Sequence, residues 1–537
     1  MKLFDNFFVN IGIKSFCFLF VVYSFMIFSF YWGNHDWLYL KNGISLLDNL
    51  FEARFSLHFF SVLFFDGMIL PVLLQLLALV GIVFLSLVSG VYLGVPQKNR
   101  QFLLYVLLLG VFPYNFIVFY YQYTAVSLFW WAFVGVLLLM LVEKQCCWWR
   151  FCLGVMGWML LLGSYPPIIA FILVLFIAKQ IILYVYEKRD FRKVVLKSGY
   201  FAIQLILGYF LFDFVFRKLG GEVFFKVKMY NVRVNGIDVI LSKIPFEILR
   251  LFRSLFDLRA ELGVSGSLFL FVLLIGGSAL CFGDAKNKFI IFVMLFALCL
   301  ATRFMFLVSS EGGLAYFRGG YWGILGIVVF ALAIFSMSDK KWIENIFYVF
   351  SILFLVIFVR IDFEAQKTMS FIFKSEMNLH ERMRQRIEGH EKFDKNSSYA
   401  TLSLGGSESN GHFCVEGCNG YRSEILAAIA MNMDLVSLLF FDDDDYLVGK
   451  KFGAWGGRIW DIHDNKYFAS KKNKLRDLVK KDWKNISGWL FVDAKKWPNK
   501  NGIYVDDRHI FILLNNNYKQ FYRDGLFYFF GDKEMIF

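Results

Sequence analysis

Charge is scarce along most of this chain. Asp, Glu, Lys and Arg make up only 18% of its 537 residues, and those before residue 361 gather in short stretches between long apolar runs. Such a pattern excludes an ordinary water-soluble surface over that whole region. There is no Walker loop, no GxGxxG between a strand and a helix, and no HExxH, so the sequence offers neither a recognisable nucleotide cradle nor a zincin site. No internal repeat stands out. Of eight cysteines, only Cys414 and Cys418 fall in the polar C-terminal part, within CVEGC. That segment holds too few ligands for a metal and leaves a disulfide and two free thiols as equal readings.

What is present is hydrophobic: 58% apolar and 20% aromatic residues. A bilayer core needs about 20 consecutive apolar residues per helical span, because no backbone polar group can stay unpaired in hydrocarbon. The runs place about eleven spans by that length rule, near 15–32, 68–93, 102–118, 124–142, 151–164, 167–186, 199–216, 266–282, 289–308, 321–337 and 343–361. The first run ends in Phe30, Tyr31 and Trp32 without a small-residue cleavage site, so it reads as a retained span. With the N-terminus inside, the short inner loops carry Lys98 and Arg100, Lys144 and Arg150, Lys188 to Lys197, Lys286 and Lys288, and Lys340 and Lys341. That is the positive-inside pattern, and it makes the net charge of +13 a topology signal rather than a nucleic-acid footprint. An odd number of spans puts the C-terminal part outside, in the periplasm of a Gram-negative cell.

Residues 1–361 therefore form a polytopic α-helical membrane domain, and 362–537 a soluble, extracytoplasmic domain. A charged amphipathic stretch from Glu364 to Lys392 reads as a helix leaving the membrane. SYATLSLGG reads as a strand and turn, YRSEILAAIAMNM and KKNKLRDLVKKDW as helices, GWLFVDA and GIYVDDRHIFILL as strands. The domain is thus mixed α/β.

Candidate chemistry lies at the outer ends of the spans. YWGNHDWLYL places Asp36 beside His35, between Trp32 and Trp37, at headgroup height. A general base works there if it reaches a hydroxyl; a helix-capping Asp36 is the plainer alternative. The rest of this connection, SLLDNLFEARFSLHFFSVLF, has apolar residues at helical spacing and reads as an amphipathic helix on the membrane surface. Its Arg54 either binds a ligand or snorkels to phosphates. FPYNFIVFYYQYTAVSLFW brings Tyr120, Tyr121 and Gln122 to the turn between spans three and four, where an aromatic belt competes with a binding role. GSYPPIIAF sets Tyr165 in a tight Pro turn, a backbone break tolerable only where it is buried or lines a cavity. Arg303 lies near the outer end of span nine, followed by Glu311 and Arg318. An arginine there is costly unless paired, so it is either a phosphate ligand or half of an Arg303–Glu311 pair. The long outer connection 217–265 is unusually basic, and an anionic ligand would explain it.

In layout the chain resembles the serotype-converting O-antigen glucosyltransferase family, membrane enzymes of GT-C-like architecture. The likeness rests on NHDW after span one, the Arg54 region, PYNFIVFYYQYTAVSL, SYPP between paired spans, RGGYWG, and the amphipathic helix followed by SYATLSLGG. It implies transfer of a hexose, typically glucose, from a polyprenyl-phosphate carrier to lipopolysaccharide O-antigen or a similar surface glycan, outside the cell inner membrane. Its base would be Asp36, tuned by His35; Arg54, Tyr120, Tyr121, Gln122, Tyr165, Arg303, Glu311 and Arg318 would bind substrate, with no metal or cofactor. A flippase and a donor-synthesising glycosyltransferase would be its working partners. Where the family often has Asp in the segment matching FYYQYTAVSL, this chain has Gln122 and Thr124, which bears on sugar and acceptor rather than reaction class. The alternatives are an O-antigen polymerase or ligase, and a transporter or flippase.

Overall fold

The computed structural model describes residues 6–28, 55–68, 70–113, 115–120, 122–143, 147–215, 237–257, 275–281, 283, 287–308, 316–337 and 341–392, with five strands between 400 and 513. The helices are α1 (Asn6–Phe28), α2 (Phe59–Phe65), α3 (Pro71–Leu93), α4 (Asn99–Gly110), α5 (Asn115–Tyr120), α6 (Gln122–Glu143) and α7 (Trp148–Leu162). They continue as α8 (Ile168–Val185), α9 (Phe191–Phe212), α10 (Ile237–Asp257), α11 (Lys288–Thr302), α12 (Phe304–Val308), α13 (Tyr316–Ser336) and α14 (Lys341–Glu388).

Among the described residues, six helical stretches, in α1, α3, α6, α8, α9 and α14, are long and apolar enough to cross a membrane. Shorter apolar helices of 10–17 residues lie in α4, α7, α11 and α13. Each expected span except 266–282 overlaps one of these, and within that one residues 275–281 are helical. Local chemistry sets the ends. Pro71 begins α3 where its missing N–H costs nothing, and Gly94 closes it at φ 88°, donating to Gly90 O. Asp190 caps α9 through the Arg192 amide, and Asn287 caps α11 through the amides of Phe289 and Ile290.

Two expected spans are broken rather than continuous. Span three stops at Gly110 and resumes as α5 after Pro113. The Asn115 side-chain Nδ2 donates to the carbonyls of Leu109 and Gly110 at 2.7 and 2.9 Å, satisfying groups the break would otherwise leave unpaired. Span nine stops at Arg303, whose backbone carbonyl accepts from the amides of Phe306 and Leu307 as α12 begins.

The chain divides into two compact units, one holding the helices up to Lys367 and the other holding the strands. Within the helical unit the two ends differ. At one end, Lys98, just before α4, and Gln101 of α4 meet Glu344 of α14 at 3.7 and 2.9 Å. At the same end, Glu143 of α6 accepts from Gln180 of α8 at 2.6 Å and pairs with Arg189 at 3.4 Å. Lys197 donates to the carbonyls of Val142 and Glu143. These are the helix ends next to the basic loops. Helix breaks and buried polar nodes gather at the opposite end. The core between them is aromatic: Phe119 packs on Phe129, Phe129 on Trp322, and Trp322 on Phe171.

The second unit contains a five-stranded sheet in the order β3-β2-β1-β5-β4. Its strands are β1 (Ala400–Leu404), β2 (Lys451–Trp455), β3 (Arg458–Trp460), β4 (Ile503–Val505) and β5 (His509–Leu513). Central β1 runs parallel to both β2 and β5, while β2–β3 and β4–β5 are antiparallel pairs. Two parallel neighbours require two crossover connections, each of a dozen or so residues or more. The segments read as helices, YRSEILAAIAMNM and KKNKLRDLVKKDW, fall in those connections, outside the described residues, as does GWLFVDA.

Candidate functional site

Asp36, His35, Arg54, Tyr121 and Glu311 lie outside the described residues, as do Cys414 and Cys418. Tyr120 closes α5, Gln122 opens α6 and Arg318 lies in the first turn of α13; only their helical backbone is described. Tyr165 is half-buried in the Pro turn between α7 and α8, its carbonyl accepting from the Ile168 amide at 3.0 Å. The first outer connection was expected on the membrane surface. Its described part packs against the bundle. The Ser56 amide donates to Gly163 O at 3.0 Å, and Trp131 Nε1 donates to Ser56 O at 2.8 Å. Phe60 packs against Trp130 and Trp131, while Phe59 and Leu63 face outward. His58 is fully buried there.

Arg303 is the expected site residue that the structure describes most fully. Its described partner is Glu247 on α10; Glu311, the partner expected from the sequence, lies outside the described residues. Arg303 Nε and Nη2 both donate to Glu247 Oε2, at 3.0 and 2.7 Å. Arg250 Nη1 donates to the other oxygen, Oε1, at 2.8 Å. The side chains of Arg303 and Glu247 are 3% and 4% exposed, that of Arg250 53%. The Arg303 guanidinium also lies 3.9 Å from the centroid of the Phe306 ring, a cation–π contact in a desolvated setting. One carboxylate thus bridges a buried and a half-exposed arginine at the end of the bundle opposite the basic turns. Two guanidinium groups and one carboxylate leave the trio with a positive formal charge.

A second polar node ties α1, α4 and α14. Tyr23 Oη lies 3.0 Å from Gly110 O and 3.2 Å from Asp362 Oδ2. Asp362 is fully buried, and its Oδ1 has no hydrogen-bond partner. One turn on, Gln366 donates to Val22 O at 2.9 Å and accepts from the Met26 amide at 3.0 Å. A carboxylate buried among apolar helices is a functional candidate by its cost alone.

Sequence reasoning missed Glu247, Asp362 and Gln366. Glu247 was hidden in a connection read only for its cations. Asp362 follows Arg360, where the apolar run was taken to end. Among the described residues no group of three or more His, Cys, Asp or Glu could hold a metal ion. No protein-family model matches the chain, and comparison with curated proteins and with solved structures yields no significant match.

Proposed function

We propose that the chain is a GT-C-like membrane glycosyltransferase with eleven spans, moving a hexose, glucose by the family resemblance, from a polyprenyl-phosphate carrier to a surface glycan such as lipopolysaccharide O-antigen. In this reading it resides in the cell inner membrane with the N-terminus cytoplasmic and the C-terminal domain periplasmic. The observation that carries the proposal is the buried Arg303, sharing Glu247 with Arg250 at the end of the bundle away from the basic turns. A guanidinium there is suited to a lipid phosphate, which it can bind in a fork and never loses to deprotonation.

The chemistry is a single in-line displacement. Asp36, tuned by His35, takes the proton of the acceptor hydroxyl as its oxygen bonds to the anomeric carbon and the bond to the carrier phosphate breaks. The departing polyprenyl phosphate carries the electron pair, so stabilising its charge matters more than protonating it. Arg303 suits that role, and Arg54 and Arg318 are proposed for it as well. Mass spectrometry of the surface glycan with and without this gene tests the class: a hexose-sized difference is expected, and its absence overturns the reading. Asp36→Asn should erase that difference at unchanged protein level; retained transfer would remove Asp36 from its role.

One observation favours a transporter instead. Asp362, buried among spans with an unpartnered oxygen, is the kind of group that ion-coupled carriers use. Movement of a lipid-linked sugar across reconstituted vesicles without any transfer to acceptor would establish that alternative.

A further inference from the structure

The two-arginine cluster has an unusual construction: its carboxylate does not belong to the spanning bundle. Glu247 sits on α10, within the connection between α9 and α11, and α10 is amphipathic with a broad outward face. Leu241, Pro245 and Leu249, spaced by four, form an exposed apolar stripe. Ser242, Phe246 and Arg250 form a second exposed row beside it. Among the described side chains of α10 only Glu247 and Leu251 are buried. Among the described side chains the Glu247 carboxylate makes the ion pair that ties α10 to Arg303, between α11 and α12, with Ile240, Ile244 and Ile248 half-buried on the same face. Pro245, two residues earlier, supplies no amide to the carbonyl of Leu241, which loosens the helix just before that contact.

We infer that Glu247 is the resting occupant of an anion site, and that a lipid phosphate takes its place on Arg303. This rests on the reading that the protein handles a lipid-linked phosphate, and adds which carboxylate yields to it and along which element it arrives. The guanidinium fork that accepts the Glu247 oxygen accepts a phosphate oxygen by the same geometry. Replacing one anion by another keeps the buried charge compensated, so the exchange avoids the large penalty of leaving Arg303 unpaired. Arg250, half-exposed and on the same carboxylate, is the first contact for an incoming phosphate. The exposed apolar stripe of Leu241, Pro245 and Leu249 takes the hydrocarbon tail, which a free phosphate lacks.

A self-occupied site weakens apparent binding by the fraction of time it stands open. A latch closed nine-tenths of the time costs about tenfold in apparent affinity. The test uses the full chain in lipid nanodiscs, with farnesyl phosphate, farnesol and inorganic phosphate as probes. Glu247→Gln keeps an oxygen for Arg303 but removes its charge, and is expected to bind farnesyl phosphate about tenfold more tightly. Arg303→Gln should abolish that binding, and farnesol and inorganic phosphate should show no gain. If Glu247→Gln lowers thermal stability, Glu247→Asp, which keeps the charge on a shorter reach, should give an intermediate gain.

Unchanged or weaker farnesyl phosphate binding in both Glu247 variants overturns the inference. An equal gain for inorganic phosphate overturns the lipid part and leaves a free-phosphate site. Failure of the transfer reading is seen separately: an unaltered surface glycan together with the Glu247→Gln gain removes the transferase and leaves the displaceable latch.

Discussion

Tyr23 of α1 and Asp362 of α14 stand 339 positions apart in sequence and meet side chain to side chain at 3.2 Å. The same tyrosine hydroxyl lies 3.0 Å from the carbonyl of Gly110, so three spans converge on one phenol. A hydrogen bond contributes only about 1 kcal/mol net, yet a buried polar group stripped of its partner costs about 1–3 kcal/mol. The node is thus more sensitive to partial removal than to whole replacement.

Tyr23→Phe is expected to destabilise the helical unit by about 1–3 kcal/mol, because Asp362 then loses its hydroxyl partner. Adding Asp362→Leu to that variant should recover part of the loss, since both polar ends are gone. Thermal unfolding in detergent, read by exposure of buried cysteines such as Cys281, measures both. A double variant less stable than Tyr23→Phe alone would show that Asp362 has a structural role beyond this contact.

The Glu247–Arg303 pair should behave in the same way at larger scale. Glu247→Leu leaves a guanidinium buried without its carboxylate and is expected to cost about 3–5 kcal/mol, most of which Arg303→Leu restores in the double variant. By contrast, Glu364→Ala removes the Arg360–Glu364 contact, 2.9 Å long but 78% and 59% exposed, and should change stability by less than about 1 kcal/mol. Additive single-variant losses at Glu247 and Arg303 would refute their coupling.

Close backbone approach gives a third expectation. A Cβ at Gly323 on α13 would meet the backbone oxygen of Thr302 at the end of α11, which cannot swing aside as a side chain tip would. Gly323→Ala should therefore cost about 1–3 kcal/mol. Gly199 on α9 has nothing within 4 Å of the same position, so Gly199→Ala should be neutral or gain up to about 1 kcal/mol from helix propensity.

Polarity can be tested directly. Alkaline phosphatase fused after Arg360 is expected to be active and fusions after Lys98 or Arg189 inactive, since enzyme activity reports an oxidising outer compartment. Inactivity after Arg360 would reverse the proposed orientation and remove Asp36 from the donor side.

Apolar runs made the helices legible, because a membrane span writes its length and composition into consecutive residues. SYPP likewise announced the turn between α7 and α8. Arg303 was recognisable as costly, but its partner lies 56 positions away, and sequence spacing carries no information about such a meeting. Asp362 was readable by a different rule. Phe347, Ser351, Phe354, Phe358, Asp362 and Gln366 are all buried at spacings of three and four, so the inward face of α14 continues past Arg360 after the outward face has become polar. Periodicity would have carried the span further than hydropathy did.

The Tyr23–Asp362 contact also orders events during synthesis. At the usual elongation rate of about 5–20 residues per second, α1 is complete for roughly 17–70 s before Asp362 is made. Gly110 follows α1 by only about 4–16 s at that rate, so its carbonyl is the earlier of Tyr23's two partners. Docking of α14 then adds the Asp362 carboxylate to the same hydroxyl, so the contact that joins the first helix to α14 is completed last.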